Sequence, residues 1–320
     1  MRLLKIVPDN TNIGFVRLRK IAFTLTLLLT VLSLALVAVR GLNLGVDFRG
    51  GLLIEEKFAV APAIDRVRGL VDSLGVGQAA VQQLGDANTF SIRLPPPTSR
   101  DEGATAKVVN TVQGALTRSF PGAKLSRQDS VSGKVSGELL WNGALAVFLA
   151  VFGIALWGVF RFEWQFGVST FVAIMHDLIM TVGFFALSGL EVDLNIVAAV
   201  LTVIGYSIND KIVIDDRIRE NMRRYRKMDM REIIDLSVNE TLPRTVMTSL
   251  TILLALMALL LFGGHVLRGF TAAMILGVIV GTYSSIYVSS SLLITLGLRA
   301  EPNAGRATPA SGAERVAPRS

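Results

Sequence analysis

Six stretches of roughly twenty apolar residues decide what this 320-residue chain is able to fold into. They fall at about 21–39, 139–160, 166–187, 194–214, 246–262 and 272–297. As a helix, each is long enough to cross the ~30 Å of a bilayer's hydrocarbon. Only 18% of the residues are charged, where a soluble domain carries about a quarter. The chain therefore reads as an integral α-helical membrane protein. The first run exceeds the apolar core of a signal peptide and ends at Val39 and Arg40 without a small-residue cleavage pattern, so it reads as a retained span.

There are no cysteines and only two histidines, His176 and His265. Thiol chemistry and a multi-histidine metal cage are thereby excluded. A net charge of +7 suggests nucleic acid in a soluble chain. In a membrane protein it follows from basic residues held on the cytoplasmic side, and no nucleic-acid partner is expected. Arg2, Lys5, Arg17, Arg19 and Lys20 precede the first run, and Lys211, Arg217, Arg219, Arg223, Arg224, Arg226, Lys227, Arg231 and Arg244 crowd the connection from fourth to fifth. The 188–193 connection has none. Both termini are thus expected in the cytoplasm, with 41–138 outside.

The expected division is residues 1–40 for the N-terminus and first span, 41–138 for an extracytoplasmic domain, 139–297 for spans two to six with a cytoplasmic loop at 215–244, and 298–320 for a disordered tail. Residues 213–244 are expected to include an amphipathic helix on the cytoplasmic face. The outer segment reads as small α+β. "LLIEEKF" (52–58) predicts a strand, and Ile64, Val67, Leu70, Val71 and Leu74 have helical spacing. A hairpin is expected to turn at 85–88, a second helix at 101–119 and a last strand at 123–131. That order, β-α-β-β-α-β, is the ferredoxin-like pattern.

No phosphate-binding loop, zinc-protease helix or nucleophile elbow is present. The one Gly-Lys pair, Gly133 and Lys134, lacks the upstream glycine and the following hydroxyl residue. An enzyme is not expected. What remains is a set of polar residues at membrane depth. His176 and Asp177 sit near the middle of the third run, and Asp210 lies in the inner half of the fourth. Arg244 opens the fifth at similar depth, and Asp193 marks the outer mouth of the fourth. Ionisable groups there cost ~2.5–3.5 kcal/mol on insertion scales, which makes them functional candidates. Ordered by depth they form a proton ladder. An arginine that approaches and withdraws would let Asp210 bind and release a proton in turn. Asp210 and Arg244 are the proposed relay pair. His176, Asp177, Asp193, Asn209 and Lys211 are candidates for further relay positions or helix contacts. Consecutive helical residues diverge by ~100°, so His176 and Asp177 are expected to face two different neighbours. Asp215, Asp216, Arg217, Arg219 and Glu220 are expected on a solvated cytoplasmic helix. Gly277 and Gly281 form a small-xxx-small pair suited to close packing.

Five quoted stretches carry a family resemblance: "GLNLGVDFRGG" (41–51), "HD" (176–177), "GYSINDKIVIDDRIREN" (205–221), "LPRTVMTSLT" (242–251) and "GTYSS" (281–285). Together the chain resembles the SecF family of bacterial protein secretion, over about residues 15–297. The resemblance implies a resistance-nodulation-division type of six-helix bundle in the bacterial inner membrane. It implies SecD as a partner supplying a second set of six helices, and the SecYEG channel and unfolded preproteins as further partners. The proton motive force would drive preprotein release on the far side. The coupling ion would be a proton, with Na⁺ left open, and no other cofactor is implied. The family's relay carboxylate falls on Asp210 and its arginine on Arg244. Two positions depart from the pattern. Lys211 replaces a small hydroxyl residue, placing a cation beside Asp210 able to hold it ionised, and Asp215 stands where a hydrophobic residue is usual. Other readings are an exporter of lipids or drugs on the same bundle, or a passive scaffold for a translocon.

Overall fold

A computed structural model describes residues 8, 11–96, 103–264 and 266–298. Among these, six helices are long and apolar enough to cross a membrane: Val16–Arg40, Gly133–Arg161, Trp164–Ser188, Leu194–Arg224, Met230–Phe262 and Arg268–Thr295. The first comprises a 3₁₀ turn (Val16–Leu18) and α1 (Arg19–Arg40). A one-turn α2 (Val46–Arg49), α3 (Ile64–Asp72) and α4 (Ala104–Ser119) follow in the segment before the bundle resumes. The bundle then continues as α5 (Gly133–Arg161), α6 (Trp164–Ser188), α7 (Leu194–Arg224) and α8 (Met230–Phe262). The last span is α9 (Arg268–Tyr283), a π turn at Ser284–Ser289 and α10 (Ser290–Thr295).

The segment between the first two spans holds four strands among the described residues: β1 (Gly51–Lys57), β2 (Ala80–Leu84), β3 (Thr89–Leu94) and β4 (Lys124–Val131). Their order is β2-β3-β1-β4, all antiparallel, with Leu52 opposite Leu94 and Ser130. This is the ferredoxin-like arrangement the sequence predicts. One face of the sheet carries Leu52, Ile54, Phe90, Ile92 and Leu94 into a core closed by Val67 and Val71 of α3 and Val112 and Leu116 of α4. The expected start of α4 at residues 101–102 lies outside the described residues, as does the tail from 299.

The connection at 215–244 differs from expectation. There is no separate amphipathic helix. α7 continues unbroken to Arg224 and α8 begins at Met230, leaving a short turn. The reason is in the sequence: Ile214, Ile218 and Met222 keep a 3–4 spacing and bury against Ile233, Ile234 and Val238 of α8. Both helices therefore outrun the ~30 Å of hydrocarbon.

The tightest seam joins α7 and α9. A Cβ at Gly277 would strike the Val203 side chain, and one at Gly281 would lie 3.1 Å from Ser207 Cβ. The glycines let two backbones meet closely, as their spacing predicts. The same seam sets Ser207 against the last span, beside the polar centre of the bundle.

Candidate functional site

The buried stripe of α7 reads Ser207, Asp210, Lys211, Ile214, Asp215, Ile218. A carboxylate thus sits inside a continuing helix rather than at a wet helix end. Asp210 lies sixteen residues past Leu194, or ~24 Å along the axis. It is 3% exposed, and its Oδ2 has no hydrogen-bond partner. The charge that acts on it comes from Arg244 on α8. That guanidinium is exposed and does not close into an ion pair with Asp210 among the described residues. Arg244 directly follows Pro243, a proline inside α8. Proline supplies no N–H to the carbonyl four residues back. Here that carbonyl, Asn239 O, accepts instead from Thr11 Oγ1 at 3.4 Å.

His176 and Asp177 face different neighbours, Tyr283 of α9 and Ser207 of α7, and they also meet each other. His176 Nδ1 lies 3.1 Å from Asp177 Oδ1, and both residues are buried on α6. The 100° divergence applies to Cα positions, and an imidazole and a carboxylate reach around it. Asp177 Oδ2 then accepts from Ser207 Oγ at 2.6 Å and Ser284 Oγ at 2.9 Å. One carboxylate thereby joins α6, α7 and the first residue of the π turn. π turns inside helices recur at functional sites. His176 Nε2 is buried without a partner, and its ring lies 6.3 Å from that of Tyr283.

Lys211 does not act on Asp210. Its Nζ donates to both oxygens of Asp215, at 2.8 and 2.6 Å, one turn along α7. Lys211 is 3% exposed and Asp215 2%, so Asp215 is not on a solvated surface. The two departures from the family pattern pair with each other. The helix geometry that puts i and i+4 on one face is the reason. Arg217 does lie near solvent, where it joins Glu240 of α8 at 2.7 Å, and Glu240 also accepts from Asn221. Asp193 caps α7, accepting from Ile196 N at 3.1 Å. Asn209 is exposed on the surface of α7, away from the buried set. So the structure joins His176 and Asp177, brings Asp210 and Arg244 into electrostatic range, and leaves Asp193 and Asn209 apart.

Sequence reasoning passed over Ser207, Ser284 and the chain from Tyr206 Oη to Ser249 Oγ (2.7 Å) to Thr282 Oγ1 (2.9 Å). The signal for Ser284 was its place in "GTYSS", a run of small hydroxyl residues inside a span. Among the described residues no cluster of three or more His, Asp or Glu is arranged to hold a metal ion.

Six spans, a ferredoxin-like domain between the first two, and buried carboxylates on the third and fourth define a multi-pass membrane protein of the SecDF architecture. Residues 111–299 match the family described as protein export membrane protein SecD/SecF, C-terminal, and residues 35–55 match the SecD/SecF GG motif. The chain belongs to the SecF family of protein translocase subunits. It is 40% identical over 309 residues to protein translocase subunit SecF of Rhodobacter capsulatus, covering 92% of each chain. It is 39% identical over 291 residues to the same subunit of Rickettsia rickettsii, covering 91% of this chain and 94% of that one. The crystal structure of SecDF, a translocon-associated membrane protein from Thermus thermophilus, aligns with a TM-score of 0.83 at 34% identity. That alignment covers 91% of this chain and 40% of the larger one. A SecDF structure in a super-membrane-facing form aligns at 0.66 with 35% identity, covering 90% of this chain and 39% of that one. The chain thus spans about two fifths of the SecDF chains it matches.

Proposed function

We propose that this chain is an auxiliary subunit of protein export that couples proton movement through its bundle to preprotein release. Both termini lie in the cytoplasm of an inner-membrane protein, and the α+β domain lies outside. SecD supplies the complementary bundle, SecYEG is the channel served, and unfolded preproteins are the cargo. The proton is the coupling ion.

One observation carries the reading. The Asp210 carboxylate is buried with an oxygen unpaired, and the arginine that acts on it stands off at the bundle surface. A permanently ion-paired carboxylate would hold its charge, and an unpaired one in hydrocarbon favours the neutral form. Approach and withdrawal of Arg244 then select between the two forms. Lys211 is occupied by Asp215 and leaves that choice to Arg244. Asp177, fixed by two serines, is a second buried acid on the same path.

The test is preprotein export into reconstituted vesicles with and without a pH gradient. Asp210→Asn and Arg244→Ala should each remove the gradient-dependent part while inserting normally. Normal export and proton flux in both would remove the relay assignment and leave the scaffold reading. The lipid- or drug-exporter reading has its own observation. An apolar groove of about 780 Å³ lies along α5, α6 and α7, lined by Val147, Phe148, Val151, Phe171, Met175 and Val200. Tight binding of a hydrophobic ligand there, with no effect on secretion, would favour it.

A further inference from the structure

The linker that follows α1 meets the turn between α6 and α7 in a short parallel contact. Leu44 bridges Val192; Gly45 N donates to Val192 O at 2.8 Å, and Val192 N donates to Asn43 O at 2.9 Å. The approach is close: a Cβ at Gly45 would lie 2.7 Å from Glu191 Oε1 and 3.2 Å from Val192 O. Two residues farther along, Asp47 Oδ2 accepts from Leu194 N at 3.0 Å. That N–H belongs to the first turn of α7, where helix amides lack partners of their own. The helix bearing Asp210 therefore starts on two carboxylates, Asp193 at its own N-cap and Asp47 from the one-turn α2.

The sheet is tied to the same knot. Arg93 of β3 donates from Nη1 to Asn43 Oδ1 (3.1 Å) and Leu44 O (3.2 Å), and from Nη2 to Asn43 Oδ1 (3.1 Å) and Gln82 Oε1 (3.0 Å). Glu191 lies 3.8 Å from it. Burial pushes the Glu191 carboxyl above the usual carboxylate range, against the pull of Arg93. The Arg93 side chain is only 12% exposed. Beside this anchor a cleft of about 540 Å³ separates other parts of the sheet from the helix ends. Both terminal nitrogens of Arg93 converge on the one Asn43 oxygen while also reaching Leu44 O and Gln82 Oε1, so the planar guanidinium holds the sheet and the 43–44 segment in one orientation.

We infer that Asp47 and Arg93 are positioning residues that clamp the sheet domain to the first turn of α7, so that the helix carrying Asp210 and the domain move as one body. The inference rests on the proton-coupled reading above. An axial or rotational shift of α7, set by the charge state of Asp210, then reaches the sheet without loss through the 43–47 segment. This gives the residues of the GG-motif region a mechanical role.

The experiment uses the full chain with its partner subunit and the channel in vesicles, reading export and proton flux separately. Asp47→Ala and Arg93→Ala should cut gradient-dependent export at least tenfold while proton flux through the bundle persists. Asp47→Asn keeps an acceptor oxygen and should restore export; Arg93→Lys lacks the fork and should not. The chain has no cysteines, so a Leu44→Cys, Val192→Cys pair can be oxidised cleanly. Because the clamp stays shut through the cycle, the disulfide should leave export intact. Export lost on oxidation and regained on reduction would overturn the inference. So would wild-type export by Asp47→Ala and Arg93→Ala where Asp210→Asn is dead, or joint loss of flux and export in them, which marks a merely structural role. If Asp210→Asn itself exports normally, the proton-coupled reading has failed, whatever the clamp variants do.

Discussion

At the scale of single residues, the buried Lys211–Asp215 pair and the buried Glu56 make opposite demands on the fold. Removing one member of a buried ion pair leaves an uncompensated charge and costs about 3–5 kcal/mol, while replacing both with apolar groups is often near neutral. Lys211→Met should therefore sharply lower the melting temperature in detergent, and Lys211→Met with Asp215→Leu should recover most of the loss. A double-mutant cycle on thermal unfolding measures the coupling, and additive effects would show that the two do not act as a pair. Glu56 on β1 is fully buried, and neither carboxylate oxygen has a partner. Burial pushes its pKa up from 4.5 to about 7. The folded domain thus holds a proton that the unfolded chain releases, so stability falls as pH rises from about 4.5 to about 7 and is flat above. Glu56→Leu should stabilise the domain at pH 8 by up to about 3 kcal/mol, with the gain shrinking toward pH 5; melting curves across that range check it. Some of this was legible in the sequence. Asp210, Arg244, His176 and Asp177 stood out because charge at membrane depth is rare. Asp215 was misplaced because its depth was counted from a helix end assumed to come too early. Ser207 and Ser284 were passed over because hydroxyls are common in spans and carry no charge to mark them.

At the scale of elements, periodicity and turn chemistry were enough where each segment satisfies itself. Apolar runs marked all six spans, and the hairpin at 85–88 appears as the turn between β2 and β3. What one chain segment does to another was not visible. The length of α7 depends on Ile214, Ile218 and Met222 finding a partner in α8. The π turn at Ser284–Ser289 has no sequence period of its own. The α7–α9 seam gives a direct test. Gly277→Leu would force a side chain into Val203 and push the helices apart, so a fall of at least 5 °C in melting temperature is expected. Val203→Ala should relieve it. If Gly277→Leu melts like the parent protein, α7 and α9 do not pack through that glycine. Pro243→Ala should restore the Asn239 carbonyl's helix partner just before Arg244 and stiffen α8 there. Slower proton flux with unchanged or raised thermal stability is the expected outcome.

For the whole molecule, orientation is the property on which the proposed direction of work depends. The parent has no cysteine, so single introduced cysteines report sidedness without background. Asp65→Cys on α3 should react with a membrane-impermeant maleimide in whole spheroplasts. Lys227→Cys, between α7 and α8, should react only after the membrane is opened; the reverse pattern would invert the topology. Loop charge sets an expectation for topology because insertion responds to local Lys and Arg, whereas the packing of the bundle leaves no such mark in the sequence. The early chain shows why. Asn239 pairs through both ends of its amide with Ile13, taking its N–H and giving to its carbonyl at 2.9 Å each, and Asp235 accepts from Val16 N. Residues 13–16 leave the ribosome more than two hundred residues before these partners are made. The opening segment must wait, its amides met by water, until the fifth span has entered the bilayer. Those bonds tie the opening segment to the fifth span while the sixth is still to come, and Asn239→Ala should delay that anchoring, seen as prolonged protease sensitivity of newly made chains.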